Sequence, residues 1–158
     1  MSLNRLFGLG AIAVVACGLA LAFAPVLAVL EKAQDSGAGM AMALDFVLRV
    51  NKAIHQGFTY QARSSEGCQS PNETLAWRSG TCRDFAWLMV EALRRLGFAA
   101  RFVTGYLYSP ALDVGESSAL RGAGATHAWC EVFLPGLGWI EFDPTNGLAE
   151  SADLIPIA

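Results

Sequence analysis

Cys82, His127 and Asp143 are a thiol, an imidazole and a carboxylate met in that order along a chain of 158 residues. Together they could supply the nucleophile, base and orienting group of a covalent acyl transfer. The imidazole would take or hold the thiol proton, and the sulfur would attack a carbonyl to give a thioester. The carboxylate would fix the imidazole's tautomer and stabilise its charged form. Singly, each residue has a plainer reading. A cysteine at a helix start is often a small buried hydrophobe, and Asp143-Pro144 is an ordinary turn opening. Their surroundings make them a set.

Cys82 follows Thr81, a helix-capping residue type, and opens a strongly amphipathic segment. Phe85, Leu88, Met89, Ala92, Leu93 and Leu96 recur at the spacing of one buried helical face. Gly97 closes that helix as a left-handed cap would, with Arg94 and Arg95 in the last turn, where the dipole favours cations. A thiol at the positive end of a helix has a raised thiolate fraction. His127 begins a predicted strand, 126–134, in which His127, Trp129 and Glu131 share one face and Ala128, Cys130 and Val132 the other. Trp139, Glu141 and Asp143 share a face of the next strand. If Phe133 pairs with Trp139, Trp129 opposes Asp143 and His127 becomes its diagonal neighbour. A register slip of one would turn Asp143 to the wrong face, so an odd-length connection of about five residues, or a bulge, is required.

Upstream, a helix with Met40, Ala43, Leu44, Val47, Val50 and Ile54 on one face ends near His55 to Gly57, and Phe58 to Tyr60 is extended. His55 reads as solvated or helix-capping. Ser70-Pro71-Asn72-Glu73 is a capping box with proline at the first helical position, starting a short helix through Trp77. Another strand covers Arg101 to Tyr108. Ser109 to Ala125 is Gly/Ser/Ala-rich and aperiodic, a long connection of the kind that serves as a lid. Backbone N–H groups around Cys82 would form half of an oxyanion hole, with Tyr60, Gln61 and Trp77 as candidate second donors. Trp129 and Trp139 are candidates for the wall of a substrate cleft.

A formal net charge of −3 and the absence of any basic run argue against a nucleic-acid partner. The uncharged stretch 6–30, preceded by Arg5 and followed by Glu31 and Asp35, fits a signal or membrane-spanning segment. The charge bias sets the domain outside the cytoplasm. A buried helix in a cytoplasmic protein is the alternative. The chain thus divides into an apolar segment 1–30, a linker 31–40, a catalytic domain 41–149 and a tail 150–158. The four cysteines, Cys17, Cys68, Cys82 and Cys130, contain no C-x-x-C pair. In an exported chain Cys68 and Cys130 are the pair to test for a disulfide. Cys82, His127 and Asp143 could each ligate zinc, but one ligand per motif does not match known zinc spacings, and no metal is expected.

Gly80-Thr81-Cys82-Arg83-Asp84-Phe85-Ala86, Thr126-His127-Ala128-Trp129 and Gly138-Trp139-Ile140-Glu141-Phe142-Asp143-Pro144-Thr145-Asn146 resemble the transglutaminase-like superfamily of bacterial proteins. The resemblance runs from about residue 41 to 147. It implies a papain-like α+β fold, with a cysteine-bearing helix packed on an antiparallel sheet that carries the histidine and the aspartate. It also implies Cys82, His127 and Asp143 as a catalytic triad, acting on peptide or protein amides with no cofactor. Acyl transfer, peptidase and amidase chemistry all fit, as does a catalytically inactive peptide-binding module of the same fold. Relatives commonly carry a β-rich domain upstream and continue well past the Asp-Pro-Thr-Asn turn. A final strand is therefore expected to be missing, leaving a sheet edge for a partner or a further segment.

Overall fold

The computed structural model describes residues 37–63 and 66–158. The chain divides into two compact units, Met1–Gly39 and Met40–Ala158. The first lies almost wholly outside the described residues, and so do the apolar segment 1–30 and most of the linker 31–40. Among the described residues no helix is long and apolar enough to cross a membrane.

Helix α1 (Gly37–Gly57) begins four residues earlier than the predicted linker allows, so Gly37, Ala38, Gly39 and Met40 are helical. Its buried face is Ala43, Val47, Asn51 and Ile54, the period of an amphipathic helix. The chain then runs through β1 (Thr59–Tyr60), α2 (Pro71–Trp77) and β2 (Ser79–Gly80). The capping box of α2 is formed as expected: the Glu73 amide donates to Ser70 Oγ, and the Ser70 amide donates to the Glu73 carboxylate. The predicted helix break at 79–80 is more than a break. Ser79 and Gly80 pair in parallel with Thr59 and Tyr60, and this short ladder brings Tyr60 alongside the entry to the next helix.

That helix, α3 (Cys82–Arg95), buries Phe85, Ala86, Leu88, Met89, Val90 and Leu93. Each large apolar side chain so buried stabilises the fold by about 1.5–3 kcal/mol. The helix ends in a Schellman motif. Phe98 N–H donates to Leu93 O and Gly97 N–H to Arg94 O, while Gly97 takes φ 89°, a conformation that favours glycine.

Five antiparallel strands form the sheet, in the order β6–β5–β4–β3–β7. They are β3 (Ala100–Leu107), β4 (Thr126–Leu134), β5 (Gly138–Asp143), β6 (Leu148–Ala149) and β7 (Leu154–Pro156). A single helical turn, α4 (Pro110–Asp113), opens the long connection between β3 and β4. In the β4–β5 hairpin Phe133 pairs with Trp139, the register required for His127 to neighbour Asp143. Around residues 127–132 β4 is buried on both faces. Ala128 packs against Cys82 and Ala86 of α3, whereas Trp129 packs with Val103, Leu107 and Leu154.

The C-terminal tail departs from expectation. Residues 154–156 pair antiparallel with Gly105–Leu107 of β3, and Thr104 N–H donates to Ala158 O. The outer edge of β3 is therefore covered over this stretch by the tail itself, where a missing final strand was expected to leave some sheet edge open. Gly105 makes the fit possible, since a Cβ there would lie 2.0 Å from Ile155 O and 2.6 Å from the Trp129 ring.

Candidate active site

Cys82 is the first residue of α3, and its position is set by Asp84 two residues on. The Asp84 carboxylate is fully buried and accepts from the Thr81 amide at 2.8 Å, the Thr81 hydroxyl at 2.9 Å, the Gln69 amide at 2.7 Å and Arg63 Nη2 at 3.1 Å. Burial pushes this carboxyl up, but those donors outweigh it and hold its pKa below the ordinary value. One buried anion therefore ties Arg63, Gln69, the cap and the first turn of α3 together. Gly80 is required beside it, because a Cβ there would meet Asp84 Cβ at 2.9 Å. The Thr-x-x-Asp spacing of 81–84 signals such a cap in sequence.

His127 and Asp143 come together as a buried pair with Nε2 and Oδ2 2.8 Å apart. An ionised carboxylate only accepts, so the hydrogen bond assigns the proton to Nε2. The remaining capacity of Asp143 is filled from its own turn: Thr145 N–H donates to Oδ1 at 2.8 Å and Asn146 Nδ2 to Oδ2 at 2.8 Å. With Nε2 committed to Asp143, Nδ1 is the nitrogen left for Cys82. It completes no hydrogen bond among the described residues, and the thiol is among the groups that govern the ring's protonation. Burial pulls the imidazole's pKa down, but the hydrogen bond to Asp143, the nearby Cys82 thiol and the charges of both push it up to about 9. The His127–Asp143 pair is thus formed, and Cys82 packs against Ala128, the chain neighbour of His127.

Residues that sequence analysis passed over hold this group in place. His55 is not simply solvated: its Nδ1 lies 2.9 Å from Thr145 O, so Nδ1 donates to the turn that carries Asp143. Asn51, on the same face of α1, donates to Leu148 O at 3.0 Å. Asn146 works in two directions, because besides bonding Asp143 it pins the long connection. Its Oδ1 accepts from Arg121 N–H at 2.8 Å and its Nδ2 donates to Arg121 O at 3.1 Å. The connection 109–125 is consequently strapped down at its far end. Leu120 packs against the Trp129 cluster, Ala123 bridges to Leu107, and the Arg121 guanidinium carbon sits 5.3 Å from the centre of the Tyr60 ring.

Gly122 lies at the Nδ1 edge of the imidazole. It has φ 87°, and a Cβ there would be 2.6 Å from His127 Nδ1. Gly122→Ala combines left-handed strain with a collision at the nitrogen facing sulfur. It is expected to slow iodoacetamide alkylation of Cys82 about tenfold through misplacement of the ring, while thermal melting changes by a few degrees only. An unchanged alkylation rate would mean that the strap does not position His127.

Several expected site residues are placed elsewhere. Trp129 is 0% exposed and cannot wall a cleft: it shares the His127 face, but β3, β7 and Leu120 cover that face. Trp139 is half exposed, yet it stands at the other end of β5 from Asp143, four residues or roughly 13 Å along the strand. There it packs edge-on to Phe133 and under Arg101. Of the candidate second oxyanion donors, Trp77 is 60% exposed at the end of α2 and Gln61 is exposed, its amide donating to Gly80 O. Tyr60 packs against Cys82. Burial and the charge of Cys82 raise its pKa, with Arg121 opposing, so the hydroxyl keeps its proton. Cys68 and Cys130 are free, one exposed and one buried, rather than paired. Cys130 is 0% exposed, and burial pushes its thiol up to about 12, as suits the core role its strand face suggested.

Comparison with known proteins places this geometry. Residues 31–144 match the model of the family described as the transglutaminase-like superfamily. An uncharacterized protein of Mycobacterium tuberculosis, Rv2569c, is 39% identical over 100 residues, covering 59% of this chain and 30% of that protein. A protein-glutamine gamma-glutamyltransferase of Pseudomonas aeruginosa is 33% identical over 97 residues, 60% of this chain and 14% of that one. Among solved structures, a candidate cysteine protease from Cytophaga hutchinsonii superposes with a TM-score of 0.57 at 32% identity, over 71% of this chain and 34% of that one. The chain spans less than a third of the length of the curated relatives it matches. The α+β core is the papain-like one that the resemblance implied. With the family model covering well over half of its residues, the chain belongs to the transglutaminase-like superfamily.

Proposed function

We propose that this protein performs cysteine-dependent acyl transfer or hydrolysis on peptide or protein amides through a thioester intermediate. The observation that carries the reading is the buried His127–Asp143 pair at 2.8 Å, with Cys82 at the first position of the helix that packs against the adjacent Ala128.

Cys82 Sγ attacks the amide carbonyl, and the C–N bond lengthens as the tetrahedral centre forms. The negative charge that develops on the carbonyl oxygen is met by the Cys82 N–H, which has no intrahelical acceptor at the first position of α3. The Tyr60 hydroxyl is the second donor. When the centre collapses, the proton held on His127 passes to the departing nitrogen, which leaves as a neutral amine. A water molecule or a second amine then attacks the thioester, His127 takes its proton, and the sulfur is released. Throughout, Asp143 holds the imidazole by Nε2 and compensates its charge.

Incubating the protein with a glutamine-containing peptide, with and without a primary amine, and weighing the products by mass spectrometry tests this reading. Deamidated, amine-linked or cleaved peptide supports it and identifies which nucleophile reaches the thioester. An unaltered peptide pool across varied glutamine, asparagine and backbone-amide substrates would favour the inactive peptide-binding module.

A further inference from the structure

Arg121 is a cation with no partner anion in view. Among the described residues the ion pairs are Arg49–Asp45, Arg63–Asp84, Arg101–Glu131 and His127–Asp143, and the Arg121 guanidinium joins none of them. Its backbone is anchored in both directions by Asn146, which also bonds Asp143, so the residue is fastened to the reacting group. Its guanidinium lies over the Tyr60 ring, and Tyr60 packs against Cys82. Tyr60 is therefore the common neighbour of the thiol and of an exposed, uncompensated positive charge. That charge is felt at the Tyr60 hydroxyl, where it opposes the effect of Cys82.

We infer that Arg121 is a specificity-determining residue that selects acyl donors carrying a carboxylate close to the reacting carbonyl, such as an acidic side chain neighbouring the target amide. A guanidinium matches a carboxylate with paired donors and stays charged at any working pH. An exposed arginine held over an aromatic face has already lost much of its rotamer freedom, so docking an anion costs less ordering. Tyr60 sits beneath it as the platform that sets its distance from the sulfur. This rests on Cys82 being the reacting thiol.

Two alkylating agents of nearly equal size test it without any known substrate: iodoacetate, which is anionic, and iodoacetamide, which is neutral. The quantity read is the ratio of their rates at Cys82, divided by the same ratio at the exposed Cys68. Because Arg121→Gln removes one charge near the thiol, it is expected to lower this normalised ratio by about three- to tenfold, the scale of a single partly screened charge. Arg121→Lys restores most of it. In parallel, the kcat/KM preference for a peptide with glutamate beside the target glutamine, over one with glutamine in both places, falls in Arg121→Gln mainly through KM. A ratio and a peptide preference that are the same in Arg121→Gln overturn the assignment. If neutral iodoacetamide labels Cys82 no faster than Cys68, the acyl-transfer reading fails and the inference fails with it.

Discussion

Cys82→Ala and His127→Ala are each expected to abolish nearly all turnover of a glutamine-containing peptide, by about a thousandfold or more, with the double variant no worse than the worse single one. Residues that act as one chemical unit give losses that do not add. Removing either leaves only binding and oxyanion stabilisation, which require neither partner. The structural basis is that Nε2 of His127 is bonded to Asp143, while Nδ1 completes no hydrogen bond among the described residues and is left for the thiol. The readout is kcat/KM for amine incorporation or hydrolysis, taken alongside melting temperature so that unfolding is not mistaken for lost chemistry. Strictly additive losses would mean that the cysteine and the histidine work independently, and the proposed mechanism would fall.

Asp143→Asn should lower activity by about 10²- to 10⁴-fold, the cost of losing control over an imidazole's tautomer and charge, and it should also change how stability depends on pH. In the native protein burial works against the charged ring, but the Asp143 and Cys82 interactions hold the His127 pKa at about 9, above the ordinary 6.5. A group whose pKa is raised on folding stabilises the folded state fully below its unfolded value. That contribution is lost as pH rises through the folded value. Stability should accordingly decline between pH 6.5 and about 9, by about 2–3 kcal/mol from this group. In Asp143→Asn the burial effect remains without the main opposing charge, so the imidazole's pKa falls and the decline flattens. Urea unfolding at about pH 6 and about pH 10 measures both slopes. Equal slopes in the two proteins would show that Asp143 does not hold the proton on His127.

The parts of the site that could be read from sequence are those with a local signature. A cysteine after a cap, the 3.6-residue period of Phe85, Leu88, Met89 and Leu93, and the closing Gly97 specify α3 by nearest-neighbour physics, and the structure forms it with those boundaries. Alternation along 126–134 and 138–143 likewise specifies the hairpin, whose Phe133–Trp139 register brings His127 to Asp143. What escaped the reading depends on meetings between residues far apart in the chain. His55 and Asn51 bond the 143–148 turn across some ninety residues, and nothing in their neighbourhood announces it. Trp129 looked free to line a cleft because alternation says which face a residue takes, not what covers that face. The tail 150–158 carried no strand pattern because β7 is only three residues long, and β3 rather than its own sequence makes it a strand.

The aperiodic connection 109–125 illustrates the same limit. Its glycines read as looseness, yet Gly115, Gly122 and Gly124 take positive φ, and Gly122 is small because the imidazole lies against it. In sequence, Asn146 is a turn residue. In three dimensions it joins the carboxylate to the strap and so relates Arg121 to the chemistry.

The central claim is that an acyl group passes through the sulfur of Cys82 because His127 and Asp143 prepare it to do so. Its most direct measurement is acid-quenched mass spectrometry of the intact protein within the first turnover of a glutamine-containing peptide, followed by digestion to locate the adduct. The account predicts a thioester confined to Cys82, absent from Cys82→Ala and strongly reduced in His127→Ala. An adduct on Cys68, or product formed with no adduct at Cys82 at any time, would contradict it.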